Sequence, residues 1–147
     1  PDMTGILPLT RAASRIVTVL GEDRAIALFL AVGGTHRNLA PRPSPDNMIV
    51  AAIGEEGALA LWEEFGPNLG RVPVAKDWIG QVWYARGRNI SEIARLLHVT
   101  DKTVRGWTKA RRTEARAAAA ERAERRAEAA ARQLDLVDWF EGKSAGR

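Results

Sequence analysis

The chain has 147 residues, room for one ordinary domain or two small ones, and 46% of them are apolar, enough for a buried core. It has no cysteine, which excludes disulfides and thiolate metal sites, and its two histidines, His36 and His98, lack ligand spacing. The formal net charge is +4, with the positive excess gathered over residues 102–132, a distribution that suits phosphate contact as well as plain solubility.

Residues 10–20 carry Ile16, Val17 and Leu20 at helical spacing, and Gly21 ends that helix. A second helix over residues 22–32 closes at Gly33 and Gly34. The following THRNLAPRPSPDN, with Pro41, Pro43 and Pro45, reads as a connector without regular structure. An apolar run over residues 47–53 is then interrupted by Gly54, and residues 55–65 form a helix closed by Gly66 and Pro67.

This restart is a repeat. GEDRAIALFLAVG, from Gly21, aligns without gaps on GEEGALALWEEFG, from Gly54, and Ile16 and Val17 fall on Ile49 and Val50. Two copies are too few for a solenoid, so the reading is a duplicated helix-Gly-helix packing unit whose shared positions are core.

GRVPVAK, residues 70–76, alternates β-branched residues around Pro73, which lacks a ladder donor. It predicts one short edge or intermolecular strand. A helix over residues 77–86 follows, with Asp77 as N-cap and Trp78, Ile79, Val82 and Trp83 on its buried face. Beyond residue 112 the chain is almost entirely alanine, arginine and glutamate, which predicts a long charged helix supported by i,i+4 pairs such as Glu121 with Arg125. Leu134, Leu136, Val137, Trp139 and Phe140 form a last apolar cluster, and the terminal EGKSAGR predicts disorder. The fold class is thus mainly α. A helical packing domain with the internal repeat covers residues 1–69, a strand linker 70–76 and a helix-turn-helix 77–112; residues 113–147 are the charged helix and its tail.

The most informative segment is GRNISEIARLLHVTDKTVRGWTK, residues 87–109. A first helix buries Ile93 and Leu97, with Ala94 at the close crossing and Ser91 as N-cap. Val99 fills the turn, and a second helix, capped by Thr100, buries Val104 and Trp107. His98 stands where such turns usually need a left-handed residue, a conformation that histidine tolerates better than most. Lys102, Arg105, Gly106 and Lys109 then share an outer face, cationic and small, that suits a major groove. Arg105 and Lys109 face bases, and Lys102 and Thr103 face phosphate at the helix start. Arg86, Arg88 and Asn89 offer further phosphate contacts before the first helix, and Arg111 and Arg112 anchor the backbone after the second. The same apolar spacing would also suit an ordinary helical bundle. Of the tryptophans, Trp62, Trp78, Trp83, Trp107 and Trp139, four fall on apolar helix faces and read as core rather than as stacking platforms. Glu55, Glu56, Glu63 and Glu64 read as a solvated helix face, and no nucleophile or phosphate-loop pattern accompanies them, so neither an enzyme nor a cofactor is expected.

Residues 54–112 resemble the Mor/C family of phage transcription activators. The matching elements are the IG…A..LW..FG helix, the Val72-Pro73 strand, the Trp-bearing helix and, most specifically, GRNISEI from Gly87. Ala75 stands where the family has glycine after its strand. The resemblance implies a dimer of intertwined helices and strands that binds double-stranded DNA through paired helix-turn-helix units and recruits RNA polymerase. Carried over, Arg71, Val72, Pro73 and Val74 are the dimer strand, and Thr100 to Lys109 the recognition helix. If residues 10–40 copy the dimerisation unit, the two copies pack in one chain as a pseudo-dimer with a single reader. No run is apolar enough to span a bilayer and no signal peptide opens the sequence. The expected location is therefore the cytoplasm of a bacterial host, at the nucleoid, with no membrane partner.

Two other readings compete. A small-terminase-like packaging subunit has the same order of reader, long helix and apolar tail, and would form a ring. A DNA-bound adaptor would use Gln133, Leu134, Leu136, Val137, Trp139 and Phe140 as a partner-binding segment; QLDLV resembles the peptide with which bacterial proteins dock on the sliding clamp, without its final aromatic.

Overall fold

The computed structural model describes residues 9–145, and side-chain surroundings through residue 142. Its order is α1 (Arg11–Leu20), α2 (Glu22–Val32), β1 (His36–Asn38), α3 (Met48–Phe65), β2 (Asn68–Arg71), α4 (Lys76–Ala85), α5 (Ile90–Leu97) and α6 (Asp101–Ala145). The protein is mainly helical, with one two-stranded antiparallel sheet. It divides into two compact units, one ending at Trp107 and the other beginning at Thr108.

The duplication read from the sequence is a duplication of backbone. Thr10 caps α1, its hydroxyl accepting from the Ala13 N–H at 3.3 Å. Gly21 stops the helix with φ 81°, ψ 169° while donating to the Val17 carbonyl at 2.8 Å. In the second copy Asn47 caps α3 by accepting from Ile49 N–H at 2.8 Å. Gly54, aligned with Gly21, breaks α3 with φ 78°, ψ 172°. Both glycines occupy a region that side chains strongly disfavour. Ile16, Ala25 and Leu28 in the first copy, and Ile49, Ala58 and Leu61 in the second, are all buried in a single core. Even the closing hydrogen bonds correspond: Gly33 N–H to Phe29 O at 2.9 Å, and Gly66 N–H to Trp62 O at 2.8 Å.

Each copy then runs into a strand, and the two strands pair with each other. His36 faces Arg71, Arg37 faces Gly70 and Asn38 faces Asn68, with a register shift between the last two pairs. This corrects two expectations. The connector after Gly34 was expected to be irregular, yet it contributes β1; and the strand expected over residues 70–76 lies at Asn68–Arg71, with its partner inside the chain. HRN and NLGR carry almost no β propensity, so only the pairing reveals them. Val72 gives both its backbone groups to the same chain: its N–H donates to Thr35 O at 2.9 Å and its carbonyl accepts from Gly34 N–H at 2.7 Å. Its side chain is buried. Pro73 can donate nothing, and Ala75 turns left-handed at φ 50°, ψ 33° to begin α4. Ala75 thus takes a conformation that glycine favours.

Asp77 is not the cap of α4. It sits in the first turn, and no side chain caps that helix. Trp78, Ile79, Val82 and Trp83 of α4 are buried with Ile93, Ala94 and Leu97 of α5 and Val104 of α6. Trp78 meets Phe29 of α2 edge to face, with centroids 6.2 Å apart. One core therefore serves the duplicated unit and the helices that follow it, although the sequence suggested a separate domain on each side of residues 70–76. In the second unit, α6 continues as a helix through Ala145, including residues expected to be disordered; Gly146 and Arg147 lie outside the described residues. No helix among the described residues is long and apolar enough to cross a membrane.

Candidate nucleic-acid interface

The reader is built from α4, α5 and the start of α6. Its first helix is capped by Asn89, whose side chain accepts from Glu92 N–H at 2.8 Å, and not by Ser91, which lies one position inside the helix. After Leu97 the chain reverses at His98, in the left-handed region at φ 56°, ψ 46°. Val99 N–H then closes onto the Ala94 carbonyl at 3.0 Å. Thr100 starts α6: its hydroxyl accepts from Thr103 N–H at 3.2 Å and lies 2.8 Å from the Thr103 hydroxyl. The turn therefore has the left-handed residue, the buried hydrophobes and the second cap that the spacing implies.

Gly80 sets how closely α4 and α6 approach. A Cβ there would lie 2.8 Å from the Trp107 ring, so only glycine admits the tryptophan at this depth. Trp107 is half-buried by this contact, and Val104, on the same side of α6, is fully buried.

The opposite side of α6 is open. Lys102, Thr103, Arg105 and Gly106 are exposed, and nothing lies within 4 Å of a Cβ built at Gly106. Arg105 leans on Asp101 one turn earlier, at 3.6 Å, with 59% of its side chain still exposed. An exposed pair of this kind is weak and exchanges readily for a phosphate or a base edge. Lys109, Arg111 and Arg112 belong to the second unit; Lys109 is exposed and the two arginines are half-buried.

The residues before α5 are engaged within the fold. Arg86 binds two acidic residues of α2, Asp23 at 2.5 Å and Glu22 at 2.8 Å. Its hydrogen bond to Asp23 is the main reason its pKa is raised, against an opposing effect of burial and with further help from Glu22. Arg88 lies over the Trp83 ring at 4.7 Å and within 3.8 Å of Glu92. Asn89 is occupied as a cap. Arg86 thus joins α4 to α2, an ion pair that local spacing cannot reveal because its partners lie more than sixty positions away. Arg86→Ala is expected to lower stability by about 0.2–1 kcal/mol and to leave the salt dependence of DNA binding unchanged; urea titration and binding isotherms at several salt concentrations would check both. Arg95, exposed in the last turn of α5, is a cation that the sequence reading did not single out.

Farther along α6, Leu134, Leu136, Val137, Trp139 and Phe140 are between 46% and 67% exposed. Trp139 and Phe140 meet edge to face at 5.0 Å. Of the five tryptophans, Trp78 and Trp83 are buried, Trp62 and Trp107 half-buried, and Trp139 is exposed.

Residues 82–127 match the family model of a helix-turn-helix domain, from within α4 into α6. No curated protein and no solved structure matches the chain. The reader is therefore a helix-turn-helix of the kind that binds DNA.

Proposed function

We propose that the protein is a sequence-specific double-stranded DNA-binding regulator of transcription, of phage or prophage origin and similar in design to the Mor/C activators. The observation that carries this reading is the open cationic side of α6 at Lys102, Thr103, Arg105 and Gly106, held outward by burial of Val104 and Trp107. A helix placed this way enters a major groove with its first turns, where Arg105 reaches a guanine edge and Lys102 a phosphate. The GRNISEI string and a strand following each helix-Gly-helix copy support the likeness to the Mor/C activators. RNA polymerase is the partner this reading implies, and the bacterial nucleoid the place of action. The exposed apolar end of α6 favours a second reading, in which Gln133 to Phe140 dock an additional protein, as in an adaptor or a packaging subunit.

Selection of bound sequences from random duplex DNA, together with the mass of the complex, tests the proposal. Arg105→Ala is expected to cost about 1–3 kcal/mol, concentrated at one base position, and Lys102→Ala to weaken all sequences alike and lower the salt slope by about one. Enrichment of no sequence, or equal affinity of Arg105→Ala for selected and random DNA, would overturn sequence-specific reading. A ring-shaped oligomer would favour the packaging alternative.

A further inference from the structure

The duplicated unit carries two equivalent helix faces, and among the described residues of the first unit only one of them meets α4. On α2 the face begins with the acidic pair Glu22 and Asp23 and continues through Ile26 to Phe29. Helix α4 meets it at both ends in antiparallel sense: Arg86, just past the end of α4, binds the acidic pair, and Trp78, near its start, meets Phe29. Ile26 and Phe29 are left 5% and 2% exposed.

The aligned residues of α3 are Glu55, Glu56, Leu59 and Trp62. The chemistry is the same: two carboxylates at the helix start, then an aliphatic and an aromatic side chain on one stripe. The burial differs. Leu59 is 43% exposed and Trp62 only half-buried. Glu56 touches Arg24 at 3.5 Å yet keeps 89% of its side chain exposed. Chain order explains the asymmetry. After β2 the chain enters α4, which meets the first copy, whereas after β1 it returns through residues 39–47 to α3, and among the described residues of the first unit no helix stands to α3 as α4 stands to α2.

We propose that this face of α3 is a docking site for a basic amphipathic helix of another protein, with the chemistry of α4: an aromatic residue in its first turn and an arginine just over two turns later. The acidic pair selects the arginine and fixes the direction of the helix, antiparallel to α3. Leu59 and Trp62 receive the aromatic end. Charge complementarity argues against the chain's own apolar segment as occupant, because Asp135, Asp138 and Glu141 would meet Glu55 and Glu56.

The test uses a fluorescent, helix-stapled peptide of residues 76–88 titrated into the full chain. One-to-one saturable binding is expected. Leu59→Glu in the protein, or Arg86→Glu in the peptide, should weaken it about tenfold or more, and the charge-reversed peptide should regain affinity for the Glu55→Lys/Glu56→Lys protein. Circular dichroism of each variant checks that the fold survives, and the charge-reversal rescue does not depend on Leu59. Absence of binding would overturn the proposal. So would binding that ignores Leu59→Glu but responds to Glu22→Lys, since the peptide would then be competing with the chain's own α4. Loss of self-association in Leu59→Glu would overturn it too, by assigning the face to a second copy.

Discussion

Trp78→Ala is expected to lower the unfolding free energy by about 3–5 kcal/mol, the usual cost of emptying a large aromatic site. Trp78 is 2% exposed and is the point where α4 meets Phe29, so its loss opens a cavity between the duplicated unit and the reader. Against a total of about 5–15 kcal/mol for a typical domain, that leaves a marginal fold. Urea denaturation followed by helical circular dichroism would show the midpoint falling steeply. If α2 and α4 share one core, the transition up to that midpoint stays single. A drop below about 1 kcal/mol would mean that the cavity collapses and the junction is loosely packed.

Gly21→Ala and Gly54→Ala should each cost about 1–3 kcal/mol, from backbone strain alone. At both positions a Cβ has nothing within 4 Å, so no side chain is displaced. The penalty arises because φ near 80° with ψ near 170° suits only glycine. The matching geometry predicts matching losses, and their thermal midpoints should fall together. A large loss at one glycine with none at the other would show that the two helix breaks differ in the energy they hold.

What the sequence made legible was what a local pattern or a self-match carries. The buried faces of α4 and α5 follow from helical spacing, the helix-Gly-helix copies from an ungapped self-alignment, and the left-handed His98 and the Thr100 cap from their places in the turn, and each stands in the structure. The strand pair was hidden because Asn, Gly, Arg and His acquire strand geometry here only through each other. Asn89 displaced Ser91 as cap because a free Asx side chain one residue before the helix reaches the Glu92 N–H, while Ser91 is already inside it. Arg86 read as a phosphate ligand because it precedes the N-terminus of α5; its partners, Glu22 and Asp23, are distant in sequence and reach it only through the fold. Gly80 drew no notice in the sequence, since its role depends on a ring that arrives from Trp107.

The antiparallel pairing of β1 with β2 also has a thermodynamic consequence. Two similar units that meet across a dyad as separate molecules lose translational and rotational freedom on meeting, and their stability rises and falls with protein concentration. Here the residues between the two copies make that encounter intramolecular, at an effective concentration set by a short tether. The midpoint at which this core melts should therefore stay the same however far the protein is diluted. Duplication also frees the two copies to diverge, because a change in one is no longer imposed on the other: Ile26 can remain buried while Leu59, its counterpart, stays at the surface.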